Sequence, residues 1–85
     1  MELDEFIELV DTTTERLRPR LDPLQAEIVA QHSSAGAWDE AVDVLVATVL
    51  RHRVPVTPAE RDDLRRLLAD LGLPVARLDG LHIHP

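Results

Sequence analysis

The chain has 85 residues, 45% of them apolar, no cysteine, and a formal net charge of −7 at pH 7. That length holds one small domain, residues 1–85, with no room for a second core. The apolar fraction argues against disorder, and the lack of cysteine excludes disulfides, thiolate metal sites and cysteine nucleophiles. An acidic chain is repelled by nucleic acid and anionic lipid, so the partner that charge favours is a basic protein.

Phe6 and Trp38 are the only aromatics. The core must therefore come from Leu, Val, Ile and Ala, a mixture that suits a helical bundle. The first helix is expected from about Leu3 to Arg18. Leu3, Phe6, Ile7, Val10 and Leu17 form its apolar stripe. Asp4, Glu8, Asp11 and Glu15, at i, i+4, i+7 and i+11, stack in one row on another face. Pro19 disfavours helical geometry at the residue before it. After a linker, Asp22 caps and Pro23 starts a second helix of about ten residues. Ser33-Ser34-Ala35-Gly36 is a turn-forming break.

The third helix, about Ala37 to His52, is apolar around well over half its circumference, which marks it as the central one. Its β-branched residues make strand a competitor over Val42–Leu50. However, Trp38, Leu45 and Val49 keep helical phase and the run has no period of two. Val54-Pro55-Val56 is extended. Thr57-Pro58-Ala59-Glu60 is a capping box opening the fourth helix, with Leu64, Leu67, Leu68 and Leu71 on one stripe. Gly72 ends it in the left-handed conformation and Pro74 follows. Residues 74–78 add one more helical turn, and a short mobile tail follows Gly80. The expected fold is all-α: a small four-helix bundle with a short C-terminal tail.

Charge is distributed unevenly. Residues 1–15 hold six acids and no Arg, whereas Arg16, Arg18 and Arg20 follow together. All nine basic residues are Arg, a bias of the kind a GC-rich bacterial genome produces. Like charges at i, i+4 cost roughly 0.2–0.5 kcal/mol per pair, so the row on the first helix pushes against itself. Solvation and the helix dipole account for its early acids; an arriving positive surface accounts for the whole row. Asp39, Glu40 and Asp43 form a second acidic set on the third helix. The dipole explains the first two better than the third. Neither set has a neighbouring Arg in helical register, and side-by-side packing of the two helices would merge them. Glu60, Asp62 and Asp63 read as solvated surface, neutralised by Arg61, Arg65 and Arg66. Trp38 is either a core anchor or an interface hot spot.

His82-x-His84 places two imidazoles on one side of an extended chain, but a metal needs further ligands, which Asp22 or Asp79 would have to supply. His32 and His52 fit helix C-termini. No nucleophile elbow, phosphate loop or dinucleotide fingerprint is present. No catalytic residue, metal site or cofactor is expected. No stretch approaches the roughly 20 apolar residues of a membrane span. Met1-Glu2-Leu3-Asp4-Glu5 lacks the basic start and apolar run of a secretory leader. A cytoplasmic location is expected.

From His32 to Leu78 the chain resembles small helical immunity proteins of bacterial polymorphic-toxin systems, the MafI family. The resemblance lies in His32, in Trp38–Leu45 (W-D-E-A-V-D-V-L), in Val54-Pro55-Val56-Thr57-Pro58-Ala59-Glu60-Arg61, and in Leu64, Leu67, Leu68 and the Gly72-Leu73-Pro74 ending. It is one of pattern and length; Gly36-Ala37-Trp38-Asp39 stands where a Gly-Glu pair is expected. It implies a non-enzymatic inhibitor that binds the C-terminal domain of a cognate toxin. Nuclease clefts are basic because they hold phosphates, so an acidic helical surface fits a nuclease best. The expected partner-facing residues are Asp4, Glu8, Asp11, Glu15, Trp38, Asp39, Glu40 and Asp43. The competing expectation is a regulatory or scaffolding homodimer, in which a second copy completes the apolar face of the third helix.

Overall fold

A computed structural model describes residues 1–84. Four helices form the body: α1 (Leu3–Leu17), α2 (Pro23–Ser34), α3 (Trp38–Arg51) and α4 (Pro58–Asp70). Two 3-10 turns, Arg18–Arg20 and Val75–Gly80, and two very short strands, β1 (Pro55–Val56) and β2 (His82–Ile83), complete it. The fold is small and all-α, as expected from the sequence. The run Val42–Leu50 is helical throughout. A β-branched segment stays helical here because packing on several sides overrides intrinsic propensity.

The helix ends follow local chemistry. The Asp22 side chain accepts from the Leu24 backbone N–H, and Pro23 occupies the first turn of α2. Thr57 Oγ1 accepts from the Glu60 N–H at 3.2 Å, and Glu60 Oε1 accepts from the Thr57 N–H at 2.8 Å, closing the capping box of α4. Three helices end on a residue of positive φ with a 6→1 bond behind it. Gly36 ends α2 at φ 78° and Gly72 ends α4 at φ 71°. The Ala37 N–H donates to His32 O and the Leu73 N–H to Leu68 O, both at 2.9 Å. At the end of α3 that position is Arg53, at φ 52°, with the Val54 N–H on Val49 O. A side chain in this region is strained where glycine is not. The sequence break placed at Ser33 falls two residues later, since Ser33 and Ser34 remain inside α2.

The core is aliphatic. Leu17, Leu45, Leu64, Leu67 and Leu68 are its largest fully buried side chains, joined by Val10, Val29, Val42, Val46, Val49 and Val56. α2 and α3 make the most extensive helix pair, and α1 lies against α4 and α3. Of the stripe expected on α1, Phe6, Val10 and Leu17 are buried, but Leu3 is 60% exposed beyond the edge of the core. Thr13 and Thr14 take buried positions instead. Thr14 Oγ1 donates to Val10 O at 2.7 Å, the back-bond that lets a hydroxyl sit inside a helix.

The tail departs from expectation. Rather than being free, β2 pairs in parallel with β1, with Pro55 opposite His82 and Val56 opposite Ile83. The His84 N–H donates to Val56 O at 2.7 Å. Buried Leu78 anchors the preceding 3-10 turn. The extended Val54–Val56 segment has unpaired backbone groups that a second strand satisfies, which a reading of the tail alone does not reveal.

Candidate partner-binding surface

Asp4, Glu8, Asp11 and Glu15 all lie exposed on α1. Their spacing places them opposite Phe6, Val10 and Leu17, so the row faces water along the helix. Two of its members have partners. Ser33 Oγ donates to Asp11 Oδ1 at 3.2 Å. Arg18 Nη2 lies 3.1 Å from Glu15 Oε1, although Glu15 remains 68% exposed. The row therefore does have one Arg in helical register, at i+3 from Glu15, contrary to the reading of the sequence. Glu8 shares a shallow groove with Glu5, Leu9, Thr12 and Arg66. The Asp4 and Glu8 carboxylates have no ion-pair or hydrogen-bond partner among the described residues, although the Glu8 backbone carbonyl accepts from Thr12 Oγ1 at 2.9 Å.

Asp39, Glu40 and Asp43 are exposed on the first turns of α3. α3 begins without a side-chain cap, its N-cap being Ala37, so Asp39 and Glu40 compensate open N–H groups. Asp43 is paired: Arg77 Nη1 donates to its Oδ1 at 2.8 Å. Glu40 Oε2 lies 3.3 Å from His32 Nδ1, an ion pair only when the imidazole is protonated. Both acidic sets reach the end of α2. They flank the end of α2 on either side, Asp11 at Ser33 and Glu40 at His32. The C-terminal carbonyl groups of that helix add further negative potential between them.

Trp38 is half-buried and packs on the rim of the core. The centre is filled by leucines, so the fold does not need Trp38 as its central anchor. Its ring lines an open cleft with Met1, Leu3, Phe6, Gly36, Asp39, Asp70 and Leu71. Sequence reasoning missed the roles of Leu3 and Leu71 because both continue correct apolar stripes. They differ from the core residues only in lying where the opposing helices end.

One carboxylate was misread. Glu60 is 2% exposed rather than solvated. Arg20 Nη1 donates to Glu60 Oε1 at 2.8 Å and to Pro55 O at 2.9 Å. Arg20 Nη2 donates to Glu60 Oε2 and to Arg16 O. One guanidinium thus joins the end of α1, β1 and the start of α4, in the bidentate geometry that favours Arg over Lys. The Arg20 hydrogen bonds, together with the Thr57 N–H, hold the Glu60 carboxyl down at about 2 against the opposing effect of burial. The same contact raises Arg20. This carboxylate serves the fold.

Among the described residues, no group of three or more His, Asp or Glu side chains is placed to hold a metal ion. No helix is long and apolar enough to cross a membrane.

What fold and surface define together is a small helical domain with an acidic face. The chain belongs to a family of unknown function, DUF6189, which matches residues 1–76. No curated protein and no solved structure matches it.

Proposed function

We infer that this domain is a binding protein that docks its acidic face on a cationic protein and performs no reaction itself. The observation that carries the reading is the row on α1. Four aligned carboxylates repel one another, face water, and contribute one hydroxyl contact and one exposed ion pair to the fold. Such surface pairs contribute about 0–1 kcal/mol. Complementary charge would instead speed association with a basic surface. The resemblance to MafI-like immunity proteins narrows the partner to a toxin domain, with a nuclease favoured by its cationic cleft.

Helix α3 gives no ground for the competing homodimer. Ala41, Val42, Leu45, Val46 and Val49 are buried within one chain, and Val44 and Leu50 pack against the same core. Most of its apolar circumference is covered within one chain, Trp38 at its start being the half-buried exception.

The test is co-expression with a basic toxin domain of the kind the resemblance implies, taken from the reading frame adjacent to this one. The reading predicts a stable one-to-one complex and protection from that domain's toxicity. A chain that neither binds nor protects, while folding normally, contradicts it.

A further inference from the structure

The cleft beside Trp38 continues into a second one. The first, about 320 Å³, is lined by Leu3, Phe6, Trp38, Asp39, Asp70 and Leu71, among others. The second, about 290 Å³, is lined by Asp39, Glu40, Asp43, Leu71 and Leu73. They share Asp39 and Leu71, so a single furrow runs between the start of α3 and the end of α4. Both parts are open rather than enclosed, a shape suited to a chain segment more than to an engulfed small molecule.

The floor of this furrow is apolar and its rim is anionic. Leu3 is 60% exposed at one end, and Leu71, Leu73 and Trp38 are half-buried along it. Four carboxylates border it: Asp39, Glu40, Asp43 and Asp70. Arg77 holds Asp43 at 2.8 Å, and the Met1 amino nitrogen lies 3.2 Å from Asp70. The balance stays negative, and Asp39 has no ion-pair or hydrogen-bond partner among the described residues. The Trp38 indole N–H makes no hydrogen bond among them and is open to solvent, where an arriving acceptor can reach it. An apolar floor selects aliphatic side chains, the acidic rim selects cations, and the indole face favours a guanidinium over an ammonium.

We propose that the Trp38–Leu71 furrow is a docking groove for a segment of a partner protein that carries arginine beside aliphatic side chains. The inference rests on the binding function proposed above and locates its anchor. The α1 row attracts the cationic partner, and the furrow holds one segment of it. Buried anchors of this kind govern release more than encounter.

The test uses Trp38, the only tryptophan in a chain without tyrosine, as the reporter. A short blocked amphipathic peptide of Leu and Arg is titrated in parallel with two controls, one with Glu for Arg and one with Ser for Leu. The peptides also carry a dye for anisotropy. The Leu/Arg peptide should shift Trp38 emission to the blue, saturably, and bind about tenfold more tightly than either control. Asp39→Asn and Leu71→Ser should each weaken it severalfold. Leu3→Ser, at an exposed side chain, should do so as well and keeps the test open if Leu71→Ser impairs folding. Equal affinity for the Leu/Arg and Ser/Arg peptides would reduce the contact to simple charge attraction and overturn the groove. So would binding that leaves Trp38 unmoved but vanishes when the α1 row is neutralised; that result leaves the proposed function standing. Absence of binding by every peptide also overturns the groove, while co-expression with the native partner decides the broader reading separately.

Discussion

Glu60 and the acids of α1 are the same chemistry put to opposite uses. Glu60 is buried, accepts from both Arg20 and the Thr57 backbone, and is held in its charged form. Asp4, Glu8, Asp11 and Glu15 stand in water, and only Asp11 and Glu15 reach a partner. A carboxylate that the fold requires is surrounded by donors. One that the fold does not require is left in solvent, and a whole row left there at a repulsive cost calls for an explanation outside the fold. The comparison can be broken from either side.

The largest effect belongs to Glu60→Ala. It strands the Arg20 guanidinium and removes half the capping box, and should cost about 3 kcal/mol by chemical denaturation. That is the low end for halving a buried pair, because Arg20 stays 32% exposed to water. A loss below 1 kcal/mol would place Glu60 with the surface acids.

A pH series gives nearly as large a change. The folded pKa of Glu60 lies below its ordinary value of 4.5, at about 2. Its contribution is therefore fully present above about pH 4.5 and is lost as pH falls toward 2. At 1.36 kcal/mol per unit the loss is about 3 kcal/mol. Glu60→Gln keeps the side chain's shape but cannot titrate, so its stability should fall less across that window. Parallel curves for the two proteins would contradict the assignment.

Two helix-end changes should each move stability by about 1 kcal/mol, in opposite directions. Thr57→Ala removes the cap of α4 and destabilises. Arg53→Gly relieves a side chain at φ 52° and stabilises. Thermal midpoints measure both.

The smallest effect is expected on α1. Replacing Asp4, Glu8, Asp11 and Glu15 together by Asn or Gln relieves two like-charge pairs at i, i+4, each worth about 0.2–0.5 kcal/mol. It forfeits one exposed ion pair of comparable size. The net change should lie within about 0.5 kcal/mol. A larger loss would mean that the row supports the fold after all.

α2 and α4 were legible because each carries its own start and stop, Asp22-Pro23 with Gly36 and Thr57-Pro58 with Gly72, whereas α1 and α3, which lack a side-chain cap, were legible from the period of their apolar residues. The acidic row was legible because helical period alone places it. The Arg20–Glu60 joint was not, because its partners lie forty residues apart and Arg20 belongs to no periodic stripe. Pairing of the tail was hidden for the same reason, since nothing in Leu81–His84 signals β1. The Trp38 furrow needed the ends of α3 and α4 brought together, and Leu3 and Leu71 look like core residues until the helices opposite them run out.

The central claim is that α1 holds its acids for a partner. Affinity capture from native cells, with wild type and the Asn/Gln row variant compared at matched stability, tests it most directly. The account predicts that a basic protein is recovered with wild type and lost with the variant. Equal recovery of that protein by both would contradict it.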